Sequence, residues 1–378
     1  MINRRTFIGL SAGLLASQIR AADPTADPFD AIKVAVDAAI ASKEIPGAVV
    51  AFVHAHLIEV KSYGQRAILP QPELMTKDTI FDLASLTKPI ATATAIMQLI
   101  DQKKLQLDDP VAKHWPAFAA NDKATITIEQ LLLHTSGLIA DNPITDYADG
   151  RDKAFERIAN LKLLTAPGKQ FRYSDVNFIV LGHLVERLSK QPLDDYTRQH
   201  IFNLFRLDDT GFRPDAKLRP RIAPTEPRDG VMLRGEVHDP RAAKLGGVAG
   251  HAGLFGTAKD LAVFADILMH GGKLLDSSLF SSKTWEMFLK PREVPGGKRA
   301  LGWDVDTSFS APRGDRFPKG TGFGHTGFTG TSMWMDPATK SAIIVLTNRV
   351  HPNGKGNATP VRKRVGTIIG KFLLDDRR

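Results

Sequence analysis

The sequence predicts an α+β protein. One antiparallel sheet is formed from both ends of the chain, with terminal helices packed on it, and a large, mostly helical insertion lies between them. Three observations predict this. Helical spacing over 29–43 (FDAIKVAVDAAIASK) leads into two β-rich runs near 48–54 and 57–63, which read as a hairpin. At the far end, GFTGTSMWMDPATKSAIIVLTNRV holds two strands joined by a DPAT turn, and a final helix runs from about Pro360 to Leu374. The middle, about 85–300, is dominated by helical patterns. A chain of 378 residues, 43% hydrophobic and 24% charged, suits one large domain with two lobes. The expected layout is a single domain over 23–378, with a sheet lobe of about 23–84 and 300–378 and a helical lobe of about 85–299.

Within the helical lobe, a buried helix is expected from Leu86, with Ile90, Ile96, Met97, Leu99 and Ile100 as its apolar positions. TITIEQLLLHTSG offers a capping box from Thr127 to Gln130 and a stop at Gly137. DVNFIVLGHLVERLSK and DYTRQHIFNLF read as two further helices, and TAKDLAVFADILMHGG as one that closes at Gly271. Gly/Pro-rich loops near 206–256 and 291–325 separate these parts, and no internal repeat is present.

The first residues, MINRRTFIGLSAGLLASQIRAADP, have a charged start, a short apolar run from Phe7 to Ala16 and small residues at Ala21 and Ala22. This predicts a cleavable export signal over 1–22, too short to span a bilayer, and hence a periplasmic or extracellular location. Arg4 and Arg5 give it a twin-arginine character, with a Sec signal as the alternative. No later stretch is long and apolar enough to span a membrane. The absence of cysteine excludes disulfides, thiolate metal sites and a cysteine nucleophile. The net charge of +9 is scattered, and Arg362-Lys363-Arg364 falls in the final helix. The basic residues therefore read as a solvated surface, with no nucleic-acid partner.

Chemistry concentrates in three places. Ser85 and Lys88 are three residues apart at the start of an apolar helix, on one helix face. A free lysine titrates near 10.4, so neutralising it at pH 7 costs about 4–5 kcal/mol unless burial or a partner offsets it. As plain structure, Ser85 caps the helix and Lys88 faces solvent; as chemistry, Lys88 activates Ser85. Tyr173 and Asp175 stand two apart where a loop enters a strong helix. Either they form part of a site, or Ser174 and Asp175 merely cap the helix. Finally, Gly322, Gly324, Gly327 and Gly330 surround His325-Thr326, which suggests close approach of a ligand to backbone.

In this order, Ser-x-x-Lys, Tyr-x-Asp and His-Thr-Gly resemble the class C β-lactamase and penicillin-binding-protein-like serine hydrolases. HTSGL at 134–138, GLFGTAKDLAVF at 253–264 and LGW at 301–303 extend the resemblance over roughly 30–375, and GEVHDPRAAKLGGVAGHAGLF at 235–255 looks like a subgroup of cell-wall-acting members. The resemblance implies a β-lactamase/transpeptidase-like fold with the site between sheet and helical lobes. By matched position, Ser85 is the acylated nucleophile and Lys88 and Tyr173 activate it. Asp175 replaces the usual asparagine and orients Lys88 or the substrate amide. His325, Thr326 and Gly327 form the substrate-binding strand edge, and the N–H groups of Ser85 and Phe328 form the oxyanion hole. No metal or organic cofactor is required. His238-Asp239 with His251 lacks recognisable metal-ligand spacing, and His251 is expected to line the cleft; Arg299 is read as a surface arginine, with contact to a substrate carboxylate as the alternative. The expected activity is hydrolysis of an ester or a peptide amide, such as a peptidoglycan fragment, by a DD-carboxypeptidase-like enzyme or esterase. The alternatives are a β-lactamase and a non-catalytic penicillin-binding sensor. His325, where β-lactamases of this class carry lysine, and the extra charge of Asp175 argue against the β-lactamase.

Overall fold

The computed structural model describes residues 27–375; the predicted export signal lies outside them. Its centre is a nine-stranded antiparallel sheet. The N-terminal part contributes β1 (Gly47–His54), β2 (Leu57–Ala67) and β3 (Glu73–Leu74). Phe81–Asp82 (β4), Gly211–Phe212 (β5) and Leu254–Gly256 (β6) form a separate small sheet, with β6 between the other two. The main sheet resumes with β7 (Arg292–Val294), β8 (Gly297–Ala300), β9 (Trp303–Asp306), β10 (Phe323–Thr326), β11 (Ser332–Asp336) and β12 (Ser341–Leu346). Its order is β7-β8-β9-β10-β11-β12-β1-β2-β3, so the two ends of the chain meet where β12 pairs β1, with Val50 opposite Val345.

Strand alternation explains why this junction is central. In β1, Ala48, Val50 and Phe52 point to one face, where α1 (Pro28–Ala41) and α6 (Thr359–Asp375) cover them with Ile32, Val36, Val361 and Val365. Val49, Ala51 and Val53 point to the other face and join the larger core of the helical region. A strand buried on both faces reads as a continuous apolar run, which is what GAVVAFV is.

The helical region departs from the expected pattern in three places. The segment from Ala84 is a single 3-10 turn (Ala84–Leu86), then a π-helical turn (Lys88–Ala93), and becomes α-helix only as α2 (Thr94–Asp101). The helix after Thr127 keeps its predicted capping box but is short, α3 (Ile128–Leu132), because His134 turns left-handed (φ 59°) well before Gly137. DYTRQHIFNLF divides into α-helical, π and 3-10 turns, which bring Tyr196, Ile201, Phe202 and Phe205 to the core despite their uneven spacing. The helices predicted at 175–189 (α4, Asp175–Ser189) and 258–269 (α5, Ala258–Met269) are present with Ser174 and Thr257 as N-caps. Between 291 and 306, predicted as loop, the Pro295-Gly296 turn instead joins two short, charge-rich strands, the edge strand β7 and its neighbour β8. Charges on an edge hide the period-2 signal in the sequence.

His183 on α4 shows how burial sets a pH response. Its ring lies between Phe155 (centroids 4.0 Å) and Trp115 (4.6 Å). Burial first, then the charges of Arg187 and Arg151, lower its pKa to about 4. A depressed histidine pKa means the unfolded chain binds the proton first as pH falls below 6.5. The stability contributed by neutral His183 is therefore lost between pH 6.5 and about 4, by at most about 3 kcal/mol. In urea unfolding at pH 7, 5.5 and 4.5, His183→Phe is expected to lose less stability on acidification than the wild type.

Candidate active site

Ser85 sits where the small sheet hands the chain to the π turn. Ala84 before it is left-handed (φ 47°), a conformation costly for a residue with a Cβ, and its N–H is tied to Asp82 Oδ1 at 2.8 Å. The strained turn presents the half-buried Ser85 while Lys88 turns inward and is fully buried. Lys88 Nζ lies 3.0 Å from Ser85 Oγ, 2.6 Å from Asp175 Oδ1 and 3.1 Å from the His251 carbonyl. Three acceptors match the three hydrogens of an ammonium. Burial works against that charge, but Asp175 and Tyr173 outweigh it and raise the Lys88 pKa above its ordinary value. Exposure of Lys88 to solvent, the plain structural alternative, is excluded by this geometry.

Tyr173 completes the group. Its ring centroid is 5.0 Å from Lys88 Nζ, and its hydroxyl interacts with both Lys88 and Ser85. Burial raises its pKa, against the lowering effect of Lys88. The HTSG turn holds it in place. His134 Nδ1 accepts the Ser174 N–H at 3.0 Å, and its ring lies 4.6 Å from that of Tyr173. Ser136 Oγ donates to Asn177 Oδ1 at 2.7 Å, fastening the turn to α4. Gly137 is left-handed (φ +81°), and a Cβ there would meet the Thr165 carbonyl oxygen at 2.0 Å.

On the opposite wall runs β10 with His325 and Thr326. Gly327 follows, where an added Cβ would stand 2.4 Å from the Leu83 carbonyl oxygen. The expected close approach is thus of backbone to backbone: this turn must lie against the residues that carry Ser85. Thr329 and Thr331 donate to the carbonyls of Asp82 and Leu83 at 2.7 and 2.9 Å. His325 Nδ1–H donates to the Thr326 carbonyl at 2.8 Å, and burial, then Arg299 and Lys88, hold its pKa well below the ordinary histidine value. The strand edge therefore carries a neutral imidazole where a cation would meet a β-lactam carboxylate. Ser85, Tyr173, His325, Thr326, Gly327 and Phe328 all line one cleft of about 300 Å³.

Three arginines border the same cleft. Arg299 is buried, which corrects its reading as a surface residue. β8 carries it inward onto the Phe171 ring (5.3 Å), with Nη1 3.2 Å from Asp304 Oδ1. Its Nε and Nη2 have no hydrogen-bond partner among the described residues. Arg362 and Arg349 were not singled out. Arg362, buried and without a carboxylate partner among the described residues, donates to the carbonyls of Gly327 and Thr331 at 2.8 and 2.7 Å; burial, then Arg349, lowers its pKa to about 9. Arg349 donates to the Phe328 carbonyl at 2.7 Å. Their signal lay in the basic run and in TNRV, and was read as solvated charge.

His251 does not line the cleft. It is buried behind Lys88 and pairs with Asp239 (2.9 Å), whereas His238 pairs with Glu226 (2.6 Å), so the sequence neighbours separate. Asp175, Asp239 and His251 bring ligand-type atoms within 4.8 Å of one another, but the Lys88 ammonium already supplies the cation there.

A Ser-x-x-Lys serine with a half-buried tyrosine, set between an antiparallel sheet and a helical region, defines a serine hydrolase of the penicillin-binding type. The comparisons agree: residues 32–366 match the Beta-lactamase family, and the chain belongs to it. It is 36% identical over 321 residues to an Escherichia coli K12 protein named "Putative D-alanyl-D-alanine carboxypeptidase", covering 77% of this chain and 74% of that one. It is 34% identical over 325 residues to the Bacillus subtilis "N-acetylmuramyl-L-alanine amidase", covering 77% and 73%. A penicillin-binding protein homolog from Caulobacter crescentus shares the fold with a TM-score of 0.74 at 22% identity, over 92% of this chain and 98% of that one.

Arg362→Met is expected to cut the hydrolysis rate about tenfold or more by releasing the Gly327–Thr331 turn. It should leave the melting temperature nearly unchanged, because a buried cation without an anion adds little net stability. Activity and thermal unfolding of the same preparation check both parts.

Proposed function

We propose that this protein is an exported hydrolase that cleaves a peptide amide in fragments of peptidoglycan through an acyl-enzyme on Ser85, with a preference for chain ends that carry a free carboxylate. The observation that carries the reading is the buried Lys88 ammonium held between Ser85 and Asp175. Ser85 Oγ attacks the amide carbon. Lys88 takes the serine proton as it passes one of its own to the Asp175 carboxylate, so the ammonium is kept while the serine is deprotonated. Asp175 holds that proton only transiently, a role that asparagine cannot fill. Tyr173 donates its hydroxyl proton to the leaving nitrogen and regains one from Lys88, which takes back the proton held by Asp175. The N–H groups of Ser85 and Phe328 receive the oxyanion, on a turn held by Arg362 and Arg349. Water then attacks the acyl-enzyme and the proton path runs in reverse.

Arg299 supports the carboxylate preference, because its free Nε and Nη2 form a planar fork suited to a carboxylate. The names of the two relatives support an amide bond to alanine. The neutral His325 disfavours efficient β-lactam turnover, and the complete Ser85–Lys88–Tyr173 group favours catalysis over a purely binding role. The RRTF-containing first residues support export.

The first test is release of D-alanine from a peptide ending in D-alanyl-D-alanine. Ser85→Ala should reduce it by about 10⁴-fold or more, and intact-protein mass after brief exposure to a penicillin should show an adduct on the wild type alone. Arg299→Lys should raise KM for this peptide about tenfold or more while sparing an uncharged ester; equal loss on both would remove the carboxylate assignment. Asp175→Asn should lower kcat by about 10²–10⁴-fold. Without the anion that raises it, the Lys88 pKa falls, so the residual rate should climb with pH over the alkaline range where the wild type is level.

A further inference from the structure

Away from the cleft, the chain assembles a second group of metal-binding donors. His56 lies in the two-residue turn between β1 and β2, and Asp266 and His270 stand one turn apart at the C-terminal end of α5. Both residues of the hairpin turn, Ala55 and His56, are left-handed (φ 47° and 72°), as this turn type requires. Histidine tolerates that conformation better than most side-chain-bearing residues. The turn places the His56 ring on the His270 ring, with centroids 3.8 Å apart and planes 29° apart. Both rings then aim Nδ1 at one carboxylate: His56 Nδ1 lies 3.0 Å from Asp266 Oδ2, and His270 Nδ1 lies 3.2 Å from Asp266 Oδ1. The three donor atoms all lie within 4.8 Å of one another.

We propose that His56, Asp266 and His270 bind a divalent transition-metal ion, zinc by preference. Zinc–nitrogen and zinc–oxygen bonds of about 2.0–2.1 Å in a tetrahedron set neighbouring donors about 3.3 Å apart. The two nitrogen–oxygen separations approach that edge, and on binding the stacked rings must splay apart so that both Nδ1 lone pairs converge on one ion. Two imidazoles and one carboxylate make a donor set for zinc, copper(II) or nickel rather than for calcium or magnesium. On binding, each neutral ring carries its hydrogen on Nε2 instead of Nδ1, through exchange with solvent and no net proton loss, and offers the Nδ1 lone pair. His270 Nδ1 also gives up its 2.8 Å hydrogen bond to the Asp266 carbonyl. Water completes the coordination on the side of His56, whose side chain is 65% exposed.

The site has a structural consequence. α5 lies across β1, β2 and β12, and the donors sit on the tip of the β1–β2 hairpin and on the end of that helix. The ion joins the sheet to the helix that covers it. None of its ligands lines the cleft around Ser85, so the ion acts on stability and not on the hydrolytic chemistry.

The test is a calorimetric titration of the chain, without a polyhistidine tag, with zinc chloride, beside His56→Ala and Asp266→Asn. One ion per chain is expected, with affinity at least tenfold weaker in each variant, and a zinc-dependent rise in melting temperature in the wild type alone. Cobalt(II) in place of zinc should give visible absorption bands that vanish in His56→Ala. Because His56 is in an exposed turn, that variant should fold and keep the wild-type hydrolysis rate. The proposal is overturned if no one-to-one binding occurs, or if His56→Ala binds zinc as tightly as the wild type.

Discussion

Everything at the site depends on one buried ammonium. A lysine with no access to water is tolerated only when each of its hydrogens has an acceptor and its charge has a counter-ion. Lys88 meets both conditions through Ser85, Asp175 and the His251 carbonyl. These partners come from three parts of the chain: the 3-10 turn just before Lys88, and, far along the sequence, the start of α4 and the loop before β6. Satisfying Lys88 therefore brings the helical region and the small sheet into register, and Ser85 is positioned as a result. A polar network with all its members paired specifies one arrangement strongly, since any slip leaves a buried charge exposed to an apolar core.

The opposite wall is built by a different device. The turn after β10 contacts the residues before Ser85 so closely that position 327 has no room for a side chain. Two threonine hydroxyls from this turn and two arginines behind it fix its carbonyls. Arg362 comes from α6, whose other residues pack on the far face of the sheet. The terminal helix thus does two jobs: it buries an apolar stripe and sends one guanidinium through to the cleft. Burial, reinforced by Arg299, Lys88 and Arg362 around it, in turn keeps the His325 imidazole neutral.

Much of this was legible in the sequence. The β-rich runs in GAVVAFVHAHLIEVKSYG and SMWMDPATKSAIIVL announced a sheet shared by both ends of the chain, because continuous apolar, β-branched runs and turn residues are local signals. Ser85, Lys88 and Tyr173 were legible as a set from residue type, spacing and order. Their convergence was not, because 85 residues separate Lys88 from Tyr173 and no local rule measures that gap. The strands at 292–300 were missed because charged residues mask their alternation, and Arg299 was taken for surface because an arginine's burial depends on what packs over it.

The sequence by itself determined the α+β division, the terminal helices, the capped starts at Thr127 and Ser174 and the choice of candidate reactive side chains. These follow from hydrophobic period, capping chemistry and intrinsic reactivity, all encoded within a few residues. Only the tertiary structure decided the charge on Lys88, the neutrality of His325 and the inward turn of Arg299 and Arg362. It alone also brought His56 to Asp266 and His270. Each of these depends on burial and on partners far along the chain, and both quantities exist only once the chain has folded.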